Sequence, residues 1–291
     1  MDAILHHAEP ADQSASLRRP LLGALLAVGI HVGLMMALGF LFGFARGFLG
    51  ALDIPVPDWI DGITVVLAGG ISIVIVMHFL DPGTVAADLG RKHSRRDWIL
   101  AAFFALLTYF VSVFAAVMLS SLPFMPQESE AELLLEMFPQ PIVLRLLLMA
   151  VFIPIIEEII YRGVVLVRLT HRFRPGFAIL ISAALFGIIH FDPFQAVYAF
   201  FVGLFIGWFY LRTRSLMLAI WIHAVFNSYG LLMSELQLEQ YGESFVGVYA
   251  IVFLLMVGVG GGTAIRHFTR EYAWPDYTKQ TPTVDSSSHL S

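Results

Sequence analysis

The chain has 291 residues, 58% of them hydrophobic and 13% charged, with a mean hydropathy of +0.79. Soluble domains carry about a quarter charged residues, so this composition excludes an ordinary soluble fold and belongs to an all-α, polytopic membrane protein. The formal net charge of −5 comes without a basic block, which excludes nucleic acid as a partner, and the absence of cysteine excludes disulfides, thiolate metal sites and a cysteine nucleophile.

The first 19 residues are polar and include Asp2, Glu9 and Asp12. They lack the basic, then apolar, then small-residue order of a cleaved signal peptide, so the first span is expected to be retained. A helix needs about 20 apolar residues to cross a bilayer. Stretches of that kind run over roughly 21–44, 61–80, 98–121, 142–167, 176–191, 194–211, 215–234 and 245–265. The fifth is short, and Asp192-Pro193 separates it from the sixth. The pattern predicts about eight transmembrane helices, with the active site inside the bundle.

Charge in the connections alternates in sign. Arg91, Lys92, Arg95 and Arg96 follow the second span, Arg172 and Arg174 the fourth, and Arg212 and Arg214 the sixth. The intervening connections carry Glu128, Glu130, Glu132 and Glu136, then Asp192, then Glu235, Glu239 and Glu243. Basic residues stay cytoplasmic during insertion, so both termini are expected inside, with Arg46 alone on the unfavoured side; the alternation fits the plasma membrane of a bacterium, the expected location, and would also fit the endoplasmic reticulum. The expected organisation is a polar cytoplasmic segment 1–19, N-terminal membrane helices over 20–139, a catalytic core over 140–235, a last membrane helix within 236–273, and a disordered tail over 274–291, rich in Ser, Thr and Pro. Gly203 and Gly207 have the spacing of close helix packing.

Within the spans, a few polar side chains stand out, because ionisable groups in a bilayer are costly and functional. The fourth span holds Glu157, Glu158, Tyr161 and Arg162, the fifth Phe186 and His190, and the seventh His223 and Asn227. Residues four apart share a helix face, whereas adjacent ones lie about 100° apart. Glu158 and Arg162 therefore form an internal ion pair, and Glu157 faces a different environment. At about 1.5 Å per residue, Glu157, His190, His223 and Asn227 all reach similar depth, near mid-bilayer. His31 and His78 read as structural histidines bonded to backbone carbonyls or hydroxyls. His6, His7, His171, His267 and His289 lie outside the spans or at their ends and read as solvated.

The motifs Glu157-Glu158-x-x-x-Arg162, Phe186-x-x-x-His190 and His223-x-x-x-Asn227, in that order on separate helices, resemble the CAAX protease and bacteriocin-processing (Abi) family of intramembrane endopeptidases, which includes the Ras-converting enzyme. The likeness covers roughly residues 140–235, and Arg214 stands where that family more usually has glycine. The resemblance implies that Glu157 and His190 activate a water, that His223 and Asn227 hold the oxyanion, that Glu158 and Arg162 brace the site, and that Tyr161 and Phe186 line it. It implies a peptide or protein substrate at the membrane, with the lipid bilayer as the other partner. No cofactor is required on this reading; zinc on Glu157, His190 and His223 is the alternative, although no His-Glu-x-x-His ligand pair is present. Buried Glu and His also suit a proton-coupled transporter, but the polar groups cluster in spans four to seven and no repeat relates two halves. A non-catalytic immunity scaffold is the third reading.

Overall fold

The computed structural model describes residues 10–57, 59–120, 122, 142–236 and 242–274. Every regular element among them is a helix: α1 (Pro10–Ala51), α2 (Trp59–Leu80), the short α3 (Val85–Leu89), α4 (Arg95–Ser120), α5 (142–170), α6 (Pro175–Ile188), α7 (Pro193–Thr213), α8 (Leu216–Leu236) and α9 (243–271). Helices are what an apolar solvent dictates, since each backbone N–H and C=O must be satisfied within its own segment. Among the described residues, six stretches are long and apolar enough to cross a membrane: Arg19–Ala51, Ile60–Leu80, Arg95–Leu119, Pro193–Thr213, Leu216–Leu236 and Val246–Glu271. Two of the about eight expected spans differ from these. The fourth is continuous, but α-helical and π-helical stretches alternate along α5. The fifth, α6, has 14 residues; at about 1.5 Å each it covers about 21 Å, short of a hydrocarbon core of about 30 Å.

Local signals set the helix ends. α4 opens on a reciprocal cap in which Asp97 Oδ2 accepts from the Ser94 backbone N–H at 2.9 Å and Ser94 Oγ accepts from the Asp97 N–H at 3.2 Å. α7 starts with Pro193 in its first turn, where Asp192 Oδ1 accepts from the Gln195 N–H at 2.6 Å. It ends at Arg214, whose φ of +50° and ψ of 38° are the left-handed conformation that closes many helices. That conformation favours glycine, which explains why glycine is the more usual residue there.

Large side chains such as Phe40, Phe44, Phe79 and Val259 point outward, as a lipid-facing surface requires, while Phe104, Phe209 and Phe268 fill the core. Gly203 and Gly207 perform the expected packing role. A Cβ on Gly203 would lie 2.8 Å from Ala183 Cα, and one on Gly207 3.3 Å from Ile179 Cγ2. Only bare glycine lets the α6 and α7 backbones approach so closely.

The two ends of the bundle differ in charge. At one end Arg168 Nε donates to Leu80 O (2.7 Å), Arg214 pairs with Asp88 (2.9 Å), and Arg212 Nη1 donates to Tyr272 O (3.0 Å). At the other, Arg145 pairs with Glu235 and Arg46 with Asp61. The Arg46–Asp61 contact neutralises the one cation that the charge pattern leaves on the unfavoured side. Two histidine readings change. His31 Nδ1 is buried with no hydrogen-bond partner among the described residues, and His267, far from solvated, has Nε2 2.7 Å from Asp97 Oδ1. The expected acidic third connection and the disordered tail beyond Trp274 lie outside the described residues, as do His6, His7 and His289.

Candidate active site

Glu157 and Glu158 lie side by side on α5, so helical geometry sends them in different directions. Glu158 is 0% exposed and Arg162, one turn on, 1%. Arg162 Nη1 lies 3.0 Å from Glu158 Oε1, which is the expected internal pair, and the guanidinium stacks over the Phe186 ring at 4.7 Å. Glu157 turns instead towards a cavity of about 610 Å³, whose wall also includes His190, His223 and Asn227. The four polar groups singled out from three helices therefore meet around one space.

His223 is held by the other glutamate. Its Nδ1 lies 2.7 Å from Glu158 Oε1, and its Nε2 lies 3.7 Å from Glu157 Oε2. A carboxylate only accepts, so Nδ1 carries a proton and Nε2 is the atom presented to the cavity. The chain Arg162–Glu158–His223–Glu157 thus alternates basic and acidic side chains, an arrangement in which buried ionisable groups compensate one another. The Glu158–His223 contact between α5 and α8 has no counterpart in the sequence reading, which treats Glu158 as a partner of Arg162 alone.

His190 lies in the turn after α6. Its Nδ1 is 2.8 Å from Phe186 O, and since a carbonyl accepts, Nδ1 donates and the Nε2 lone pair is left for the cavity. Phe186 thus orients His190 through its backbone while its ring packs against Tyr161 (centroids 5.1 Å apart) and His223 (5.9 Å). Phe186 lines the cavity as expected; Tyr161 lies behind it, fully buried between Phe186 and His31.

Asn227 Nδ2 donates to Met149 O at 2.7 Å. The π-helical stretch Leu147–Phe152 directs N–H groups to carbonyls five residues back, as Ile153 N does to Leu148 O. The next N–H in that register would serve Met149 O, but residue 154 is proline and has none. Asn227 fills the vacancy, and its second amide hydrogen remains for the cavity. A proline inside an otherwise apolar span is the sequence signal for this feature, and it stands four residues before Glu158.

Glu157, His190 and His223, the candidate zinc ligands, border one cavity without converging on a point. Among the described residues no three His, Asp or Glu side chains are arranged to hold a metal ion. Elements with no motif also contribute to the cavity wall: His31 on α1, Gly69 on α2, Tyr109 on α4 and Tyr198 on α7. Polar residues on the wall extend to Gln195 and Ser234, near the ends of α7 and α8 away from the arginine-rich side.

Fold and cavity together define a polytopic, all-α membrane protein with carboxylate, imidazole and amide groups gathered inside its bundle. Residues 139–229, from the start of α5 to the middle of α8, match the family described as type II CAAX prenyl endopeptidase Rce1-like. The resemblance carried by the three motifs thus holds for the segment that supplies Glu157, His190, His223 and Asn227. A protein of Bacillus subtilis (strain 168) described as "Putative membrane peptidase YdiL" is 26% identical over 158 residues, which cover 52% of this chain and 64% of that protein. The match therefore spans less than two thirds of that relative's length. No solved structure matches the chain.

Proposed function

We propose that this protein is an intramembrane endopeptidase that hydrolyses a peptide bond of a membrane-associated peptide or protein, in CAAX-type processing or in peptide maturation. The observation that carries the reading is the convergence of Glu157, His190, His223 and Asn227 on one cavity of about 610 Å³. Peptide hydrolysis needs a base for water and donors for the oxyanion, and the cavity wall offers both.

In this mechanism Glu157, assisted by the free Nε2 of His190, takes a proton from a water as its oxygen attacks the scissile carbonyl carbon. The carbonyl π electrons move to oxygen, and the negative charge is met by His223 Nε2–H and by the second Asn227 N–H. Glu158 holds His223 by its Nδ1 so that the other ring nitrogen faces the substrate, and Arg162 pairs with Glu158 from behind. The proton held at Glu157 then passes to the leaving nitrogen as the C–N bond breaks, giving a carboxylic acid and an amine, and the acid's proton passes to the amine to leave a carboxylate and an ammonium group.

The test is hydrolysis by purified protein, with product peptides identified by mass spectrometry from cells carrying the active chain or Glu157→Ala. Glu157→Ala, His190→Ala and His223→Ala are each expected to abolish product while remaining folded; full activity in all three defeats the assignment. Exhaustive chelation is expected to leave the rate unchanged, and a loss restored by zinc would overturn the metal-free mechanism.

A further inference from the structure

A second cavity, of about 640 Å³, lies at the arginine-rich end of the bundle, where α3 and the ends of α7 and α9 meet. None of its lining residues borders the catalytic cavity. Three guanidinium groups line it, those of Arg91, Arg212 and Arg214, against two carboxylates, Asp88 and Glu271. Asp88 is already engaged: it accepts from Tyr210 OH at 2.6 Å, pairs with Arg214 at 2.9 Å, and lies 3.7 Å from Arg91 Nε. Glu271 is exposed. Three guanidinium groups against two carboxylates, with Asp88 shared in this way, leave the wall basic on balance.

Two buried atoms stand out. Among the described residues, Thr84 Oγ1 and Arg212 Nε are shielded from solvent and have no hydrogen-bond partner. Leaving such groups unmet is costly, and both belong to side chains of the cavity wall. The position of Arg212 is set by other contacts: Nη1 donates to Tyr272 O, and its guanidinium lies over the Trp208 ring at 5.0 Å and the Trp274 ring at 5.2 Å. Indole rings gather where a membrane meets water, which is also where phospholipid phosphates lie.

We propose that this cavity is a binding site for a phosphate group, with Arg91, Arg212 and the Thr84 hydroxyl as its donors. Its position at a membrane–water boundary suits the phosphate of an anionic phospholipid headgroup; free phosphate has the same chemistry. Occupancy would tie α3 to the ends of α7 and α9, so the bound state resists unfolding more than the empty one.

The experiment uses the purified full chain in a neutral detergent, titrated separately with short-chain phosphatidylglycerol, short-chain phosphatidylcholine and inorganic phosphate. Thermal unfolding and native mass spectrometry are the readouts. Phosphatidylglycerol is expected to raise Tm saturably and to leave a one-to-one adduct. Arg91→Gln and Thr84→Val are each expected to weaken it, the arginine change by about tenfold. Arg174→Gln, which removes a cation that does not line the cavity, is expected to leave affinity unchanged. An Arg91-dependent shift with phosphatidylglycerol supports a headgroup site, and the same dependence with inorganic phosphate alone supports a free-phosphate site. The proposal is overturned if no probe shifts Tm, if the shift is the same in Arg91→Gln as in the unaltered chain, or if Arg174→Gln weakens binding as much as Arg91→Gln.

Discussion

Replacing Glu158 by Gln keeps the side chain's shape and removes its charge, and the structure makes the outcome differ sharply from that of Glu157→Gln. Glu158 contacts two basic side chains, Arg162 at 3.0 Å and His223 at 2.7 Å, and both are almost wholly buried. With an amide in its place the guanidinium is a buried, uncompensated charge. Breaking a buried pair in this way costs about 3–5 kcal/mol. At about 2–4 °C per kcal/mol, Tm is expected to fall on the order of 10 °C. Activity falls as well, because His223 loses the group that holds it as a donor. Glu157 faces the cavity, with His223 Nε2 3.7 Å away. Glu157→Gln is therefore expected to leave Tm near the wild-type value while hydrolysis drops by about 10²–10⁴-fold. Unfolding followed by fluorescence of the five tryptophans gives stability, and cleavage product gives activity. The double variant Glu158→Gln/Arg162→Met, which removes the stranded cation, is expected to regain stability but not activity. A Glu158→Gln protein as stable as wild type, or a Glu157→Gln protein as unstable as Glu158→Gln, would refute the division of labour between the two glutamates.

Arg214 provides a second test. Its left-handed backbone penalises any Cβ, so Arg214→Gly, although it loses the Asp88 ion pair, should be more stable than Arg214→Ala by about 1 kcal/mol in chemical denaturation; equal stability would show that the conformation carries no strain. Burial, reinforced by Arg91 and opposed by Asp97, lowers the pKa of His93 from its ordinary value of 6.5. Because its folded pKa lies below the unfolded one, the unfolded chain binds more protons between the two. The stability this group contributes is full above about pH 6.5 and is lost as pH falls from there to the folded pKa. His93→Gln should flatten that part of a Tm-against-pH curve, and an unchanged slope would exclude His93 as its source. Finally, the chain has no cysteine, so Ser234→Cys reports access to the cavity without background. On the charge alternation, a membrane-impermeant thiol reagent should label it from the non-cytoplasmic face of intact cells, whereas Arg172→Cys should react only after lysis. Labelling in the opposite pattern reverses the orientation.

The amino-acid sequence by itself determined that this chain lives in a bilayer as helices, because apolar stretches of spanning length leave the backbone no other way to satisfy its hydrogen bonds. It also marked Glu157, His190, His223 and Asn227, since ionisable and amide groups at such depth are too costly to be incidental, and periodicity within one helix was enough to pair Glu158 with Arg162. Relations between helices were not legible. That His223 is shared between two glutamates, that Asn227 caps a carbonyl stranded by Pro154, that His267 pairs with Asp97, and that α1, α2 and α4 complete the cavity wall all depend on how distant segments pack. The physical reason is range. Hydropathy and helical period act over a turn or a span, while distances between side chains on separate helices are decided by packing, down to the absence of a Cβ at Gly203 that lets α6 and α7 touch.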